Sequence, residues 1–168
     1  MNTDNEDVRI VFTASRTWFG KLIRKITKSK VSHVFVEIPV WGQRFAVEST
    51  VSGTRIVPAH KARHYIHSEF QCSFPVRPGL LAIGEKLGSP YDWAGTFFLG
   101  ILIIVGQWFK MKWKKLCWNT KSLKCSELVA FFLQSVGVIR KEANIEITTP
   151  DDLLLLCTSL ENRFRKIT

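Results

Sequence analysis

The chain contains no C-x-x-C pair: its four cysteines, Cys72, Cys117, Cys125 and Cys157, are widely spaced along 168 residues. A tetrahedral zinc site built on paired thiolates is therefore not expected. The N-terminus, MNTDNEDVRI, is acidic and polar and lacks the apolar core of a signal peptide. A cytoplasmic location follows as the expectation, with reduced thiols rather than two disulfides. No apolar run reaches the ~20 residues that span a bilayer. Internal repeats and low-complexity tracts are absent as well. Acidic side chains are in short supply, 14 against 24 basic ones, for a formal charge of +10. That balance points to anionic partners: phospholipid surfaces, cell-wall polymers or nucleic acid. Charge alone does not choose among them.

What is present belongs to a globular protein. Hydrophobic residues make up 46% of the chain and charged ones 23%, which excludes a disordered polyelectrolyte, and the length suits one domain over residues 1–168. VRIVFTA (8–14) reads as a first strand. SHVFVEI (32–38) is a strand by its β-branched and aromatic content, with Pro39 helping to end it. RFAVEST (44–50) follows across a Trp41-Gly42-Gln43 connection suited to a hairpin, and GTRIVPA (53–59) comes after only Val51 and Ser52. EFQCSFPV (69–76) is the next strand. Short connections favour antiparallel pairing.

Helices dominate the second half. PGLLAIGEKLG (78–88) is a short one. In SPYDWAG, Ser89 suits an N-cap and Pro90 the first helical position. A helix from Cys125 is expected to stop near Gly137, and TTPDDLLLL opens a last one with Thr149 as cap and Pro150 first. Strands followed by helices give an α+β domain, an antiparallel sheet packed with helices.

Two stretches have two readings each. RTWFGKLIRKITKSK (16–30) carries an apolar stripe (Trp18, Phe19, Leu22, Ile23, Ile26) opposite a basic one, as a surface helix or an anion-facing one. The longest apolar run, TFFLGILIIVGQWF (96–109), is either a buried core helix or an interfacial segment. The second reading draws on KMKWKKLCW directly after it, where Trp and Lys suit lipid headgroups.

LKCSELVAFF (123–132) holds the candidate chemistry. Leu128, Val129, Phe131 and Phe132 drive a helix into a core, yet its first turn opens with Cys125. An isolated cysteine before Leu and Val is by default a small core hydrophobe. As a nucleophile it needs a base, and the base needs an orienting acceptor. His33 sits at the start of the second strand, and Glu48 lies on the third. If those strands form a hairpin, a carboxylate reaches the imidazole, fixes its tautomer and favours its charged form. A thiolate–imidazolium pair is then the expected resting state. The unsatisfied N–H groups at a helix start lower the thiol pKa further. Glu37, on the His33 strand, and a surface salt bridge for Glu48 remain open alternatives.

KSKVSHVFVEI, FAVEST, LGSPYDWAG and KCSELVAFFLQSVGV, in that order, resemble the circularly permuted branch of papain-like cysteine hydrolases. This is the NlpC-type group, with bacterial and phage amidase-like proteins, related to lecithin–retinol acyltransferase. In papain the Cys precedes the His; here His33 comes first. The resemblance covers most of the chain. It implies Cys125 as nucleophile, His33 as general base and Glu48 as the residue orienting the histidine, with the Cys125 amide as oxyanion donor. Tyr91 and Asp92 match a recurrent Tyr-Asp pair and, with Ser126, are supporting candidates. The implied reaction is cleavage of an amide or ester through a Cys thioester, by hydrolysis or acyl transfer, with no cofactor. Peptide, peptidoglycan and lipid-linked substrates stay open, and the greasy stretch between Tyr91 and Cys125 makes an acyl or lipid-linked one more plausible. The competing expectation is a non-catalytic basic protein that binds anionic membranes or cell-wall polymers, and either kind of protein would sit peripherally on such a surface.

His60, His64 and His67 in AHKARHYIHSE invite a metal reading through i, i+4 spacing on a helix. No H-E-x-x-H pattern accompanies them, and a solvated loop or short helix is expected instead. Lys110 to Lys115 with Trp108 and Trp113 resemble a nucleic-acid patch, but no nucleic-acid module surrounds them, so no specific nucleic-acid partner is expected.

Overall fold

Ile10 and Phe12 point to one side of the first strand and Val11 to the other, and all three are fully buried. A strand covered on both faces belongs inside a sheet. That is where β1 (Arg9–Thr13) lies in the computed structural model, which describes residues 7–14, 24, 29–90 and 124–168. Around it stand β2 (His33–Val40), β3 (Gln43–Thr50), β4 (Gly53–Pro58), β5 (Ile66–Cys72) and β6 (Phe164–Lys166). The order is β4-β3-β2-β1-β5-β6, and every neighbouring pair is antiparallel. The described helices are α1 (Ala59–Ala62), α2 (Arg77–Gly84), α3 (Cys125–Ser135) and α4 (Pro150–Ser159), with a 3-10 turn at Ile145–Ile147. The fold is α+β, an antiparallel sheet packed with helices.

Two tight turns fix the register that matters. Trp41 and Gly42 have φ of 48° and 77°, the left-handed pair that a two-residue type I′ hairpin requires. They pair Val40 with Gln43, so Gln43 is already strand rather than connection. Val51-Ser52 plays the same part between β3 and β4, pairing Thr50 with Gly53 and Glu48 with Arg55. Pro39, expected to help end β2, is inside it opposite Arg44. The β1–β2 register stops at Glu37, so a residue without an N–H breaks no ladder bond on that side.

Other boundaries moved. β5 begins at Ile66 and ends at Cys72, where Ser73 N–H turns to the Arg163 carbonyl instead. It pairs with β1, on the far side of the sheet from β4, and its outer edge is covered by β6, which was not foreseen. α4 starts as expected: Thr149 Oγ1 accepts from Asp152 N–H at 3.2 Å, and Pro150 opens the helix.

α3 packs against β2, β3 and α2. Leu128, Val129, Phe132 and Leu133 are fully buried, each stabilising the fold by about 1.5–3 kcal/mol relative to exposure. Phe131, read as a core residue, is only partly buried and lies under Lys86 Nζ, 5.0 Å from the ring centroid. The α2–α3 approach is close: a Cβ on Gly79 would stand 2.5 Å from the Phe132 ring. The start of α3 is thus pinned by the packing of its body. Among the described residues, no helix is long and apolar enough to cross a membrane.

Candidate active site

β2 and β3 pair from Val40/Gln43 back to Val36/Val47. Continuing that register sets Glu48 across from Phe35, and His33 two positions further along the same face. Such diagonal neighbours are within reach of long side chains. His33 Nε2 meets Glu48 Oε2 at 3.2 Å. The other carboxylate oxygen, Oε1, accepts from Arg55 Nε at 3.1 Å and Arg55 Nη2 at 2.9 Å. Glu48 is therefore neither a surface carboxylate nor a free one: its side chain is 6% exposed, that of His33 20%.

Cys125 is the first residue of α3, so its N–H has no intrahelical acceptor. Lys124, the preceding residue, is extended, and its backbone N–H donates to Glu127 Oε2 at 3.4 Å, one half of a capping box. Ser126 Oγ donates to the Thr148 carbonyl at 2.6 Å, tying the first turn of α3 to the chain after the 3-10 turn. The His33 imidazole and the backbone N–H groups of Val34 and Ser126 stand beside the thiol and favour its charged form. With Nε2 committed to Glu48, Nδ1 is the ring nitrogen left for the sulfur. The structure thus brings Cys125, His33, Glu48 and Arg55 together: hydrogen bonds join His33, Glu48 and Arg55, and the thiol lies beside the imidazole.

Burial opposes charge on each of these groups, and the partners overcome it. Desolvation pushes the Cys125 thiol up, but the His33 imidazolium and its hydrogen bond pull it below the ordinary thiol value of 9.0. Burial alone would depress His33; the Cys125 thiolate, then Glu48, raise it from 6.5 to about 10. Glu48 is likewise raised by burial and lowered, on balance, by His33 and Arg55. Cys72 and Cys157 have no such partners and go the other way. Burial lifts Cys72 to about 12, and burial, then the neighbouring Cys72, raises Cys157.

The remaining candidates divide. Ser126 touches the site through its backbone, while its hydroxyl serves the helix start. Tyr91, Asp92, Cys117, the 96–109 run and the Lys/Trp stretch to 123 lie outside the described residues, as does most of 16–30. His60 and His64 do not share a helix face: α1 ends at Ala62 and His64 is in the following loop. His67 Nδ1 pairs with Ser68 Oγ at 2.9 Å. Among the described residues, no three His, Cys, Asp or Glu side chains are grouped to hold a metal ion. Among the described residues Glu37 binds two arginines, Arg44 and Arg63, rather than a lysine. Arg55 was missed, although the two-residue Val51-Ser52 turn already sets it opposite Glu48.

The chain is similar to the crystal structure of the metalloprotein yiiX from Escherichia coli O157:H7, DUF1105, with a TM-score of 0.53 and 16% identity, over 95% of this chain and 82% of that one. At that identity the likeness shows the fold. No family model matches the chain, and no curated protein matches it in sequence.

Proposed function

We propose that the chain is a cysteine hydrolase or acyl-transfer enzyme of the permuted papain-like, NlpC-type kind, acting on an amide or ester. The observation that carries this reading is the grouping of Cys125, His33 and Glu48, with His33 Nε2 on the Glu48 carboxylate, the thiol lowered by the imidazole and the imidazole raised by both partners. The thiolate attacks the substrate carbonyl carbon, forming a C–S bond, while the Cys125 N–H donates to the developing oxyanion. The imidazolium passes its proton to the leaving amine or alcohol as the C–N or C–O bond breaks. Neutral His33 then takes a proton from water, or from another acceptor, whose oxygen attacks the thioester carbonyl. The C–S bond breaks and the thiolate–imidazolium pair returns. Glu48 holds the ring so that one nitrogen faces sulfur throughout.

The structural neighbour yiiX is described as a metalloprotein. Among the described residues no metal ligands are grouped, and the steps above use Cys125, His33 and Glu48. The charge of +10 favours an anionic surface as the place of action, peripheral and on the cytoplasmic side. Sedimentation with anionic liposomes tests that part separately. Binding that survives Cys125→Ala, with no turnover of any amide or ester, would favour a purely binding protein instead.

Iodoacetamide labelling of the folded protein at pH 7, read by peptide mass spectrometry, tests the nucleophile. Cys125 should react at least about tenfold faster than Cys72 or Cys157, the gain in thiolate exceeding the loss of intrinsic nucleophilicity. Equal rates for the three would sink the proposal.

A further inference from the structure

We propose that Arg55 is a positioning residue for this site: it holds the Glu48 carboxylate ionised and aimed at His33. The inference rests on the thiol-enzyme reading above and extends it to a fourth residue. Glu48 is almost fully buried, and an ionised carboxylate in that position needs all its acceptor capacity directed. Arg55 takes one oxygen with two donors, Nε at 3.1 Å and Nη2 at 2.9 Å. A fork on one oxygen fixes the carboxylate's rotation and leaves the second oxygen in line with His33 Nε2. Among the described residues the charged groups facing Glu48 are His33 of β2 and Arg55 of β4; Cys125 of α3 reaches it only through the ring.

Geometry also separates Arg55 from the reacting atoms. It stands on β4, cross-strand from Glu48, with its side chain 46% exposed. It touches neither the thiol nor the ring and acts through the carboxylate alone. Without it Glu48 accepts a proton more readily as pH falls, and where it does, His33 loses its anionic partner and the thiolate the imidazolium that sustains it. The signature is therefore a displaced pH dependence of Cys125 reactivity, which a merely structural arginine would not produce.

The test is the rate of iodoacetamide alkylation of Cys125 between pH 4 and 9 in the full chain, alongside thermal unfolding. In Arg55→Met the acid limb should move up by about 1 pH unit, and Arg55→Lys should recover at least half of that shift. Arg55→Gln serves in place of the methionine variant if the latter does not fold. In a Glu48→Gln background, Arg55→Met should move the limb no further. A limb that coincides with wild type, or one that shifts equally in the Glu48→Gln background, overturns the proposal. The wild-type arm stands apart: if Cys125 reacts no faster than Cys72 and Cys157, the thiol-enzyme reading itself fails, and Arg55 has no site to position.

Discussion

Glu37 and Glu48 occupy the same face of adjacent strands, both nearly or fully buried, and each accepts from an arginine. Their surroundings diverge from there. Glu37 meets Arg44, and its two oxygens take Arg63 Nη1 at 2.9 and 2.8 Å. Arg63 also pairs with Glu69, Arg44 with Asp7 at 2.9 Å, and Arg9 with Asp7 at 2.6 Å. This cluster sets three carboxylates against three guanidiniums. Glu48 shares its carboxylate between one guanidinium and an imidazole that can gain or lose a proton. Burial alone therefore does not tell the two carboxylates apart; the titratable partner does. Position follows the same division. The β2–β3 ladder closes over Glu37, paired with Ala46, and ends at Val36/Val47. Past that end lie His33 and Glu48, where the first turn of α3 brings in Cys125.

Removing the titratable partner should have the largest effect. In His33→Ala only the Val34 and Ser126 amides still oppose the burial of Cys125, and its thiol should return toward or above 9.0, in the direction of Cys72 at about 12. Alkylation of Cys125 at pH 7 should then fall by about 100-fold, on the ratio of thiolate fractions. A rate that stays high would show that the helix start and the Val34 and Ser126 amides sustain the thiolate by themselves.

The opposite cluster should answer in stability and not in reactivity. Glu37→Gln leaves Arg44 and Arg63 without their shared anion, and truncating one side of a buried ion pair is costly. Both guanidiniums are partly exposed and retain Asp7 and Glu69, so a loss of about 2–3 kcal/mol in urea unfolding is expected. The acid limb of Cys125 alkylation should not move. A displaced limb would mean that the two clusters work as one network.

This contrast was half legible in the sequence. Alternation in SHVFVEI and RFAVEST, with Trp-Gly between them, was enough for the hairpin, and the hairpin for the His33–Glu48 pairing. The same alternation sets Glu37 on that face, so period alone could not say which glutamate meets the histidine. Register decides it, and register comes from a two-residue turn rather than the three-residue connection expected. Arg55 was one of 24 basic residues, and only the two-residue Val51-Ser52 turn, which sets it opposite Glu48, separates it from the rest. β6 escaped for a different reason: FRK is three residues with one apolar member, and pairing with β5 makes it a strand. The Cys125 turn was readable because helix starts have a chemistry of their own, whatever the core beneath them.

Glu48→Gln changes the comparison least, and its effect depends on pH. The substitution keeps the shape and removes the charge, so His33 should lose part of its elevation. On the proposed reaction, wild-type turnover should rise as Cys125 sheds its proton below pH 9 and fall above about pH 10, where His33 can no longer protonate a leaving group. Alkylation, which needs no proton donor, should show the acid limb only. In Glu48→Gln the acid limb should move up and the alkaline limb down, narrowing the bell while substrate binding stays largely intact. Stability follows the sign of the Glu48 shift. Its native pKa is depressed below 4.5, so its contribution is present above that value and lost as pH falls through the native one. The variant should be about 1–2 kcal/mol less stable than wild type at pH 7. The two urea curves should converge in acid, because there the wild-type carboxyl is protonated as well. A gap that persisted at low pH would assign the loss to the shape of the hydrogen bonds around Arg55 and His33 rather than to the charge.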